Sequence, residues 1–253
     1  MQITFHQEKG FTDPIKEWQE KHTKRLKGPI DVFWLNHAIY GGSVFSIHST
    51  KPIGYCVITK NKELSELFLE DPNDSPQAIA SLLKEKRIAS SIVSTRNPYL
   101  LSLCMDFHKS AQSIAYLFLD LNRDLHPQKR LTFRIATQED KPWIENKTDY
   151  ERDLIIDLSE GLLFILLDGN TRLGHGTLSP NPLQPHYSDI GCWVDPVHRS
   201  KGYGCEIILH LKKVCYDRSI LPTCGCDLEN LSSKRMLEKS GFYASDRMVK
   251  MIF

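Results

Sequence analysis

The same order of strand and helix patterns occurs twice in the 253-residue chain. Each copy begins with two strand-like runs joined by a short polar turn, at residues 44–58 and again at 163–178. A third strand, a helix, a short strand and a further helix preceded by Asn97 or Asn230 follow in both halves. This repeat predicts an α/β fold, with α and β elements around a mixed sheet, in two copies. Chance similarity of generic α/β patterning is the alternative.

The patterns also give bounds for individual elements. In the first half we expect strands at 67–71 and 90–94 and a helix at 76–86. In the second half we expect strands at 131–135, 190–195 and 223–227 and helices starting at Thr137, 150–159 and 204–217. Thr137 followed by Asp140 is typical of a capping box.

A polar, basic segment at residues 122–130 separates the two copies, and it contains Pro127. We therefore predict two domains, 1–125 and 131–253.

Composition excludes several classes of protein. A formal net charge of +1 offers no bulk attraction to nucleic acid or to an anionic membrane. No apolar run reaches the roughly eighteen residues that a membrane-spanning helix needs. The seven cysteines show no zinc-ligand spacing, so we expect no metal site. Buried, reduced cysteines would place the protein in the cytoplasm.

One segment combines a strand, a basic glycine turn and a helix start. The turn reads Arg199-Ser200-Lys201-Gly202-Tyr203-Gly204. Glycines allow a close backbone approach, and the first amides of a helix have no intrahelical partner, so the turn is typical of an anion site. It lacks the Gly-Lys-Ser/Thr ending of a nucleotide-hydrolase loop and the third glycine of a dinucleotide site.

The pattern Arg199-x-x-Gly202-x-Gly204 resembles the pyrophosphate loop of the GNAT N-acetyltransferases. The opening Arg134-x-Ala136-Thr137-x-Glu139-Asp140 is similar to the start of that fold, and residues 230–242 resemble its closing signature. All three occur in the expected order and spacing, so the second half is identified as a member of this family.

The resemblance implies acetyl-CoA as the acyl donor. The strand before the loop would diverge from its neighbour, so that the backbone of Trp193 and Val194 pairs with the pantetheine arm. Asn230 would lie beside the pantetheine or the thioester. The pyrophosphate would be held by the amides of Arg199, Ser200, Lys201, Gly202, Tyr203, Gly204 and Cys205. Trp193 as a core residue and Asn230 as a helix cap are the alternatives.

Transfer to an amine requires a base, because an alkyl ammonium has a pKa of about 10.4. Asp189 is the first candidate, with a solvated carboxylate as the alternative reading, and Glu229 is the second. Many relatives carry a Tyr that protonates the thiolate, but this chain has Leu237 there. Ser233 is the candidate proton donor, or else a helix-surface serine. Packing explains Cys192, so we expect direct transfer in a ternary complex without a covalent cysteine intermediate.

The first half has no glycine loop. Residues 73–76 are acidic there and would repel pyrophosphate, so we expect a degenerate copy that walls the acceptor cleft or provides a partner surface. The segment 179–189, with His186 and Tyr187, is the other expected wall. The predicted function is transfer of acetyl from acetyl-CoA to a primary amine of a small molecule or peptide. The alternative is a non-catalytic acyl-CoA-binding regulatory module, and the sequence does not indicate an oligomeric state.

Overall fold

The computed structural model describes residues 3–128, 130–147 and 154–253. Its strands are β1 (Thr4–Gln7), β2 (Ser43–His48), β3 (Pro52–Ile58), β4 (Glu63–Leu69), β5 (Ser90–Ser94), β6 (Ser110–Asp120), β7 (Thr132–Ile135), β8 (Leu163–Asp168), β9 (Thr171–Pro180), β10 (Tyr187–Val194), β11 (Leu221–Asp227) and β12 (Phe242–Ile252). Its α-helices are α1 (Asp13–Arg25), α2 (Val32–Trp34), α3 (Ser75–Lys84), α4 (Pro98–Met105), α5 (Lys141–Lys147), α6 (Leu154–Ser159), α7 (Tyr203–Asp217) and α8 (Leu231–Lys239). None of the helices in these ranges is long and apolar enough to span a membrane.

The chain forms two compact units. Unit 1 comprises Met1–Leu117 and Asp246–Phe253, and unit 2 comprises Phe118–Ser245. The C-terminal segment belongs to unit 1 because Met248–Ile252 of β12 pair antiparallel with Ser90–Ser94 of β5. The division into domains 1–125 and 131–253 stays a prediction. It assigns the C-terminal segment to the second domain, because the sequence patterns contain no signal for this long-range pairing.

In unit 1 the strands follow the order β1-β2-β3-β4-β5-β12, and β6, most of which belongs to this unit, lies next to β12. From β1 to β12 in this order all neighbours run antiparallel except β4 and β5, which are parallel. The hairpin predicted at 44–58 is confirmed as β2 and β3. Strand β4 begins at Glu63 instead of the predicted residue 67, because its first residues pair with β5. One face of this sheet contributes Leu64, Leu67 and Met251 to a core shared with α3 and α4.

In unit 2 the order is β7-β8-β9-β10-β11, antiparallel up to β10 and parallel between β10 and β11. The hairpin predicted at 163–178 is confirmed as β8 and β9. Strand β10 starts at Tyr187, earlier than predicted, because Ser188 pairs with Pro180. The connecting loop is therefore only residues 181–186, so Tyr187 and Asp189 lie in the strand and His186 remains in the loop.

The predicted capping box after β7 is confirmed. The Thr137 side chain accepts from the Asp140 backbone, and the Asp140 carboxylate accepts from the Thr137 amide at 2.9 Å. Arg134 and Arg172 also donate to Asp140, at 2.6 and 2.8 Å. Burial would raise the pKa of Asp140, but the hydrogen bonds from Arg134, Thr137 and Arg172 outweigh it and hold the pKa well below its usual range. The hydrogen bonds of Arg134, Thr137 and Asp140 thus connect β7 to the first helix of unit 2.

Two predicted segments lie partly outside the described residues. The helix expected at 150–159 is described as α6 from Leu154, and residues 150–153 are outside the description. In the predicted linker Lys129 is outside it as well. The linker is anchored at Asn122 and at Gln128, because Lys212 of α7 donates to the Asn122 carbonyl at 2.7 Å and Glu206 accepts from the Gln128 amide at 2.8 Å.

Candidate functional site

The adjacent strands β10 and β11 of unit 2 separate along their length. Their parallel pairing covers only Tyr187–Asp189 against Leu221–Thr223, whereas β10 stays paired with β9 as far as Val194. The predicted divergence of the strand before the glycine loop is therefore confirmed. Beyond Asp189, the edge of β10 that faces β11 has backbone groups available for an extended ligand.

The glycine turn leads from β10 into α7. Gly202 has a φ of 89° and is the N-cap of the helix. The helical hydrogen-bond ladder begins when the Glu206 amide bonds to the Gly202 carbonyl at 3.2 Å. The preceding amides in the first turn of α7 have no intrahelical acceptor and lie at the positive end of the helix dipole. A Cβ built on Gly202 meets nothing within 4 Å, so the space beside the Gly202 backbone is open.

Ser200 has a φ of 61°, a left-handed conformation in which a side chain carries a steric cost. Together with Gly202 it places two left-handed residues in a three-residue segment, a geometry that directs successive amides toward one anion.

The carbonyls of Trp193 and Val194 point in opposite directions. A Cβ built on Gly174 of β9 would lie 2.4 Å from the Trp193 carbonyl oxygen, so that carbonyl faces β9. The Val194 carbonyl faces away from β9 and accepts from Nε of Arg199 at 3.0 Å. Of the two residues predicted to pair with pantetheine, it is therefore Val194 whose carbonyl is directed into the open side. The Arg199 guanidinium is exposed at the mouth of the loop.

The two faces of β10 have different surroundings. A Cβ on Gly204 would lie 3.8 Å from Val194 Cγ2, which places the Val194 side chain on the α7 face. Strand alternation then puts Asp189 and Trp193 on the opposite face. There the Trp193 ring packs edge-on against Trp143 of α5, with centroids 5.8 Å apart, and stacks on His175 of β9 at 5.5 Å. Burial lowers the pKa of His175 to about 4, so its ring is neutral at pH 7.

Asp189 lies at the last paired position before the strands diverge. Its carboxylate accepts a hydrogen bond from the hydroxyl of Thr223 on β11. The carboxylate is half-buried and held in one orientation at the apex of the open cleft. Sequence reasoning missed Thr223, Trp143 and His175, because their proximity to β10 arises from strand register and helix packing and has no local signature.

Asn230, Ser233 and Leu237 lie on or next to α8. The Asn230 side chain accepts from the Ser233 amide at 3.0 Å and from the Ser232 hydroxyl at 2.8 Å, so it caps the helix and remains exposed. The Ser233 hydroxyl interacts with the Cys226 thiol of β11. Leu237 is only 2% exposed, so the position of the family's tyrosine is filled by a buried apolar side chain.

The cysteines near the loop resemble packing groups. Burial raises the pKa of the Cys192 thiol to about 12, so it is protonated and a poor nucleophile. The Cys205 thiol contacts the Met236 carbonyl oxygen at 3.6 Å. All seven cysteines are free, and within the described ranges no cluster of His, Cys, Asp and Glu could hold a metal ion.

The corresponding helix start in unit 1 has a different construction. The Asp71 carboxylate accepts from the Asn73 amide at 2.9 Å, and Pro76 stands in the first turn of α3 without an N–H group. Asp74 adds a second carboxylate. The helix start of unit 1 therefore carries negative charge, where a phosphate site would need free amides and a positive potential.

Comparison with known proteins identifies the family. A model described as "Acetyltransferase (GNAT) domain" matches residues 11–121, and one described as "Acetyltransferase (GNAT) family" matches residues 130–242. Together the two matches cover most of the chain, so the protein belongs to the GNAT acetyltransferases and contains two GNAT domains in tandem. No curated protein matches its sequence.

Solved structures show the same fold at low sequence identity. A GNAT-family acetyltransferase from Colwellia psychrerythraea is 16% identical, with a TM-score of 0.90 over 99% of both chains. A tandem GNAT protein from the clavulanic acid biosynthesis pathway, determined without AcCoA, is 13% identical, with a TM-score of 0.64 over 99% of this chain and 98% of its own. A GCN5-related N-acetyltransferase from Sphaerobacter thermophilus is 11% identical, with a TM-score of 0.65 over 98% and 94%.

Proposed function

We propose that unit 2 transfers an acetyl group from acetyl-CoA to a primary amine by direct attack in a ternary complex. The observation that carries this proposal is the combination of the open β10–β11 cleft with the glycine loop that begins α7. The cleft suits a pantetheine arm, and the loop amides suit a pyrophosphate. Acetyl-CoA supplies the activated thioester, and the chain supplies binding, orientation and proton transfer.

The proposed donor site uses the residues around the loop. Backbone amides from Arg199 to Cys205 hold the pyrophosphate, with the Arg199 guanidinium and the Lys201 ammonium adding positive charge. The free edge of Val194 pairs with the pantetheine arm. The open space at Gly202 fits a phosphate close to the backbone, since no side chain lies within 4 Å of a Cβ placed there. Asn230, at the exposed start of α8, is proposed to lie beside the pantetheine or the thioester.

The proposed chemistry uses two proton transfers. Asp189 takes a proton from the acceptor ammonium, directly or through water, so that the nitrogen lone pair is free to attack. As the new C–N bond forms, the C–S bond breaks, and the thiolate receives a proton from Ser233 or from a water that it orients. The nitrogen then loses its second proton, which replaces the one that Ser233 or the water gave. Trp193 lies on the same face of β10 as Asp189, and Trp143 of α5 packs against it. The two rings provide an apolar surface for the body of the acceptor.

Unit 1 is proposed to have no part in binding acetyl-CoA, because the start of α3 carries carboxylates and a proline where unit 2 carries free amides. We also propose a cytoplasmic location, since all seven cysteines are free thiols.

The second candidate function, a non-catalytic acyl-CoA-binding module, is favoured by the buried Leu237 in place of the family's tyrosine. Release of free thiol from acetyl-CoA separates the two functions. The assay is run with a panel of small amines and peptides, and with no amine as the control. Amine-dependent thiol release supports the transferase. Tight acetyl-CoA binding without turnover on any amine would establish the module instead.

A further inference from the structure

The parallel strands β4 and β5 of unit 1 also separate, and a cavity lies at their divergence. Their pairing covers only Glu63–Ser90 and Leu64–Ser91. Beyond this point the cavity is lined by Ser65 and Glu66 of β4 and by residues 92–94 of β5. Apolar side chains complete most of the wall: Leu26, Ile30, Trp34, Ile39, Leu100 and Met248. The cavity is thus a mainly apolar space with two carboxyl groups, Glu66 and Asp31, in its lining.

Glu66 is the unusual member of this lining. It is 2% exposed, and neither carboxylate oxygen has a hydrogen-bond partner among the described residues. His22 of α1 is the nearest cation candidate, with Nε2 3.7 Å from Glu66 Oε1. Burial lowers the pKa of His22 to about 4, so the imidazole is neutral and does not balance the carboxylate. The Tyr55 hydroxyl and the Gln19 amide face Glu66, but neither forms a hydrogen bond of normal geometry.

The other polar groups of the lining have partners within unit 1. Arg96 donates from Nε to Asp246 at 3.0 Å and from NH1 to the Pro29 carbonyl at 2.9 Å. Asp31 accepts from the Trp34 amide at 2.8 Å. The Arg96 charge is therefore balanced by Asp246 and does not neutralise Glu66. The donors that face Glu66, Tyr55 and Gln19, are uncharged, so its buried carboxylate gains most from a cation that brings N–H groups.

We propose that this cavity binds a small primary alkylammonium ion, whose N–H groups donate to Glu66 while its alkyl body packs on the apolar wall. A metal ion fits less well, because no metal-ligating cluster occurs within the described ranges. Acyl-CoA is not the expected occupant, because the start of α3 offers no site for its pyrophosphate. The site is separate from the proposed transfer chemistry, and its test does not depend on that chemistry.

The test is calorimetric titration of the full chain with n-propylammonium, with 1-propanol and propionate as neutral and anionic counterparts. Glu66→Gln keeps the shape of the side chain and removes its charge. Glu63→Gln is the matched control, because Glu63 lies on the same strand but pairs with Lys250 at 2.7 Å. We expect the wild type and Glu63→Gln to bind propylammonium, and Glu66→Gln to bind it at least about tenfold more weakly.

Equal propylammonium affinity in Glu66→Gln, or equal affinity of the wild type for 1-propanol, would overturn the proposal. A cooperative thermal transition at or above the wild-type melting temperature shows that the Glu66→Gln variant is folded. The wild type alone gives a second test, since burial raises the pKa of Glu66 to about 7. Affinity should fall as the pH drops below 7, and constant affinity from pH 5 to 8 would also contradict the site. The charged or titratable groups facing Glu66 are His22, Tyr40, Tyr55, Asp31 and Arg96.

Discussion

Single residues divide the work in unit 2 between holding the donor and moving protons. Asp189 is fixed by Thr223 at the apex of the cleft, on the strand face away from α7. If it is the base, Asp189→Asn should lower the rate of amine-dependent thiol release at pH 7 by about 100-fold or more, while the acetyl-CoA dissociation constant is unchanged. The control is Asp168→Asn, an exposed carboxylate at the end of β8. An unaltered rate in Asp189→Asn would remove Asp189 as the base.

The burial of Glu66 leads to a prediction about the free energy of unfolding that can be tested without a ligand. Its pKa is raised by burial from 4.5 to about 7. Because the pKa of Glu66 is higher in the folded than in the unfolded state, its contribution to the free energy of unfolding is fully present below pH 4.5. That contribution is lost as the pH rises through about 7. Glu66→Gln carries no charge, so its advantage over the wild type in the free energy of unfolding should grow by about 3 kcal/mol between pH 4.5 and 8. Urea titrations at both pH values measure this, and a pH-independent difference would contradict a buried, unpaired Glu66.

Among the secondary-structure elements, the divergence of β10 from β11 explains where a ligand gains backbone contacts. We expect acetyl-CoA to slow amide hydrogen exchange at residues 200–205 and along the free edge of β10 near Val194. The matched segment in unit 1, residues 72–76 before and within the start of α3, should exchange at the same rate with and without acetyl-CoA. Protection at 72–76 with none at 200–205 would reverse the proposed roles of the two units.

The sequence predicted those elements whose pattern is local. Both hairpins and α7 follow from strand alternation, tight polar turns and helical periodicity, and the capping box follows from Thr137 and Asp140 alone. The early starts of β4 and β10 were missed, because most of their first residues are polar and become strand only through pairing with neighbours. The glycine loop could be singled out from its residues. The direction of the Val194 carbonyl depends on strand register and could not be predicted from the residues of the loop.

At the scale of the whole molecule, the division into units does not follow the order of the chain, because the C-terminal residues belong to unit 1. The last eight residues belong to unit 1, in which β12 lies between β5 and β6, and Met251 is 1% exposed whereas Ile252 is 39% exposed. Met251→Ala should therefore lower the free energy of unfolding of unit 1 by about 2–4 kcal/mol, since it leaves a cavity in the core. Ile252→Ala, the adjacent control, should cost less than about 1 kcal/mol. Similar small effects for both substitutions in chemical denaturation would show that the C-terminal strand does not stabilise unit 1.

The two units also differ in the ligands for which they are suited, although both belong to the same family. Unit 2 has open helix amides beside a divergent strand, whereas unit 1 has a carboxylate-capped helix start and, separately, a buried Glu66. A tandem protein of this kind has one proposed donor site per chain, and its second copy is free to bind a different molecule.

The central claim is that the loop from Arg199 to Cys205 holds the pyrophosphate of acetyl-CoA, and the most direct test compares two glycine substitutions. Gly202 and Gly169 both have positive φ, 89° and 55°, and a Cβ on either meets nothing within 4 Å. Gly202→Trp and Gly169→Trp therefore carry comparable backbone strain, but only the first fills the proposed anion site. We predict that acetyl-CoA raises the melting temperature of the wild type and Gly169→Trp but not of Gly202→Trp. An undiminished shift in Gly202→Trp would contradict the account.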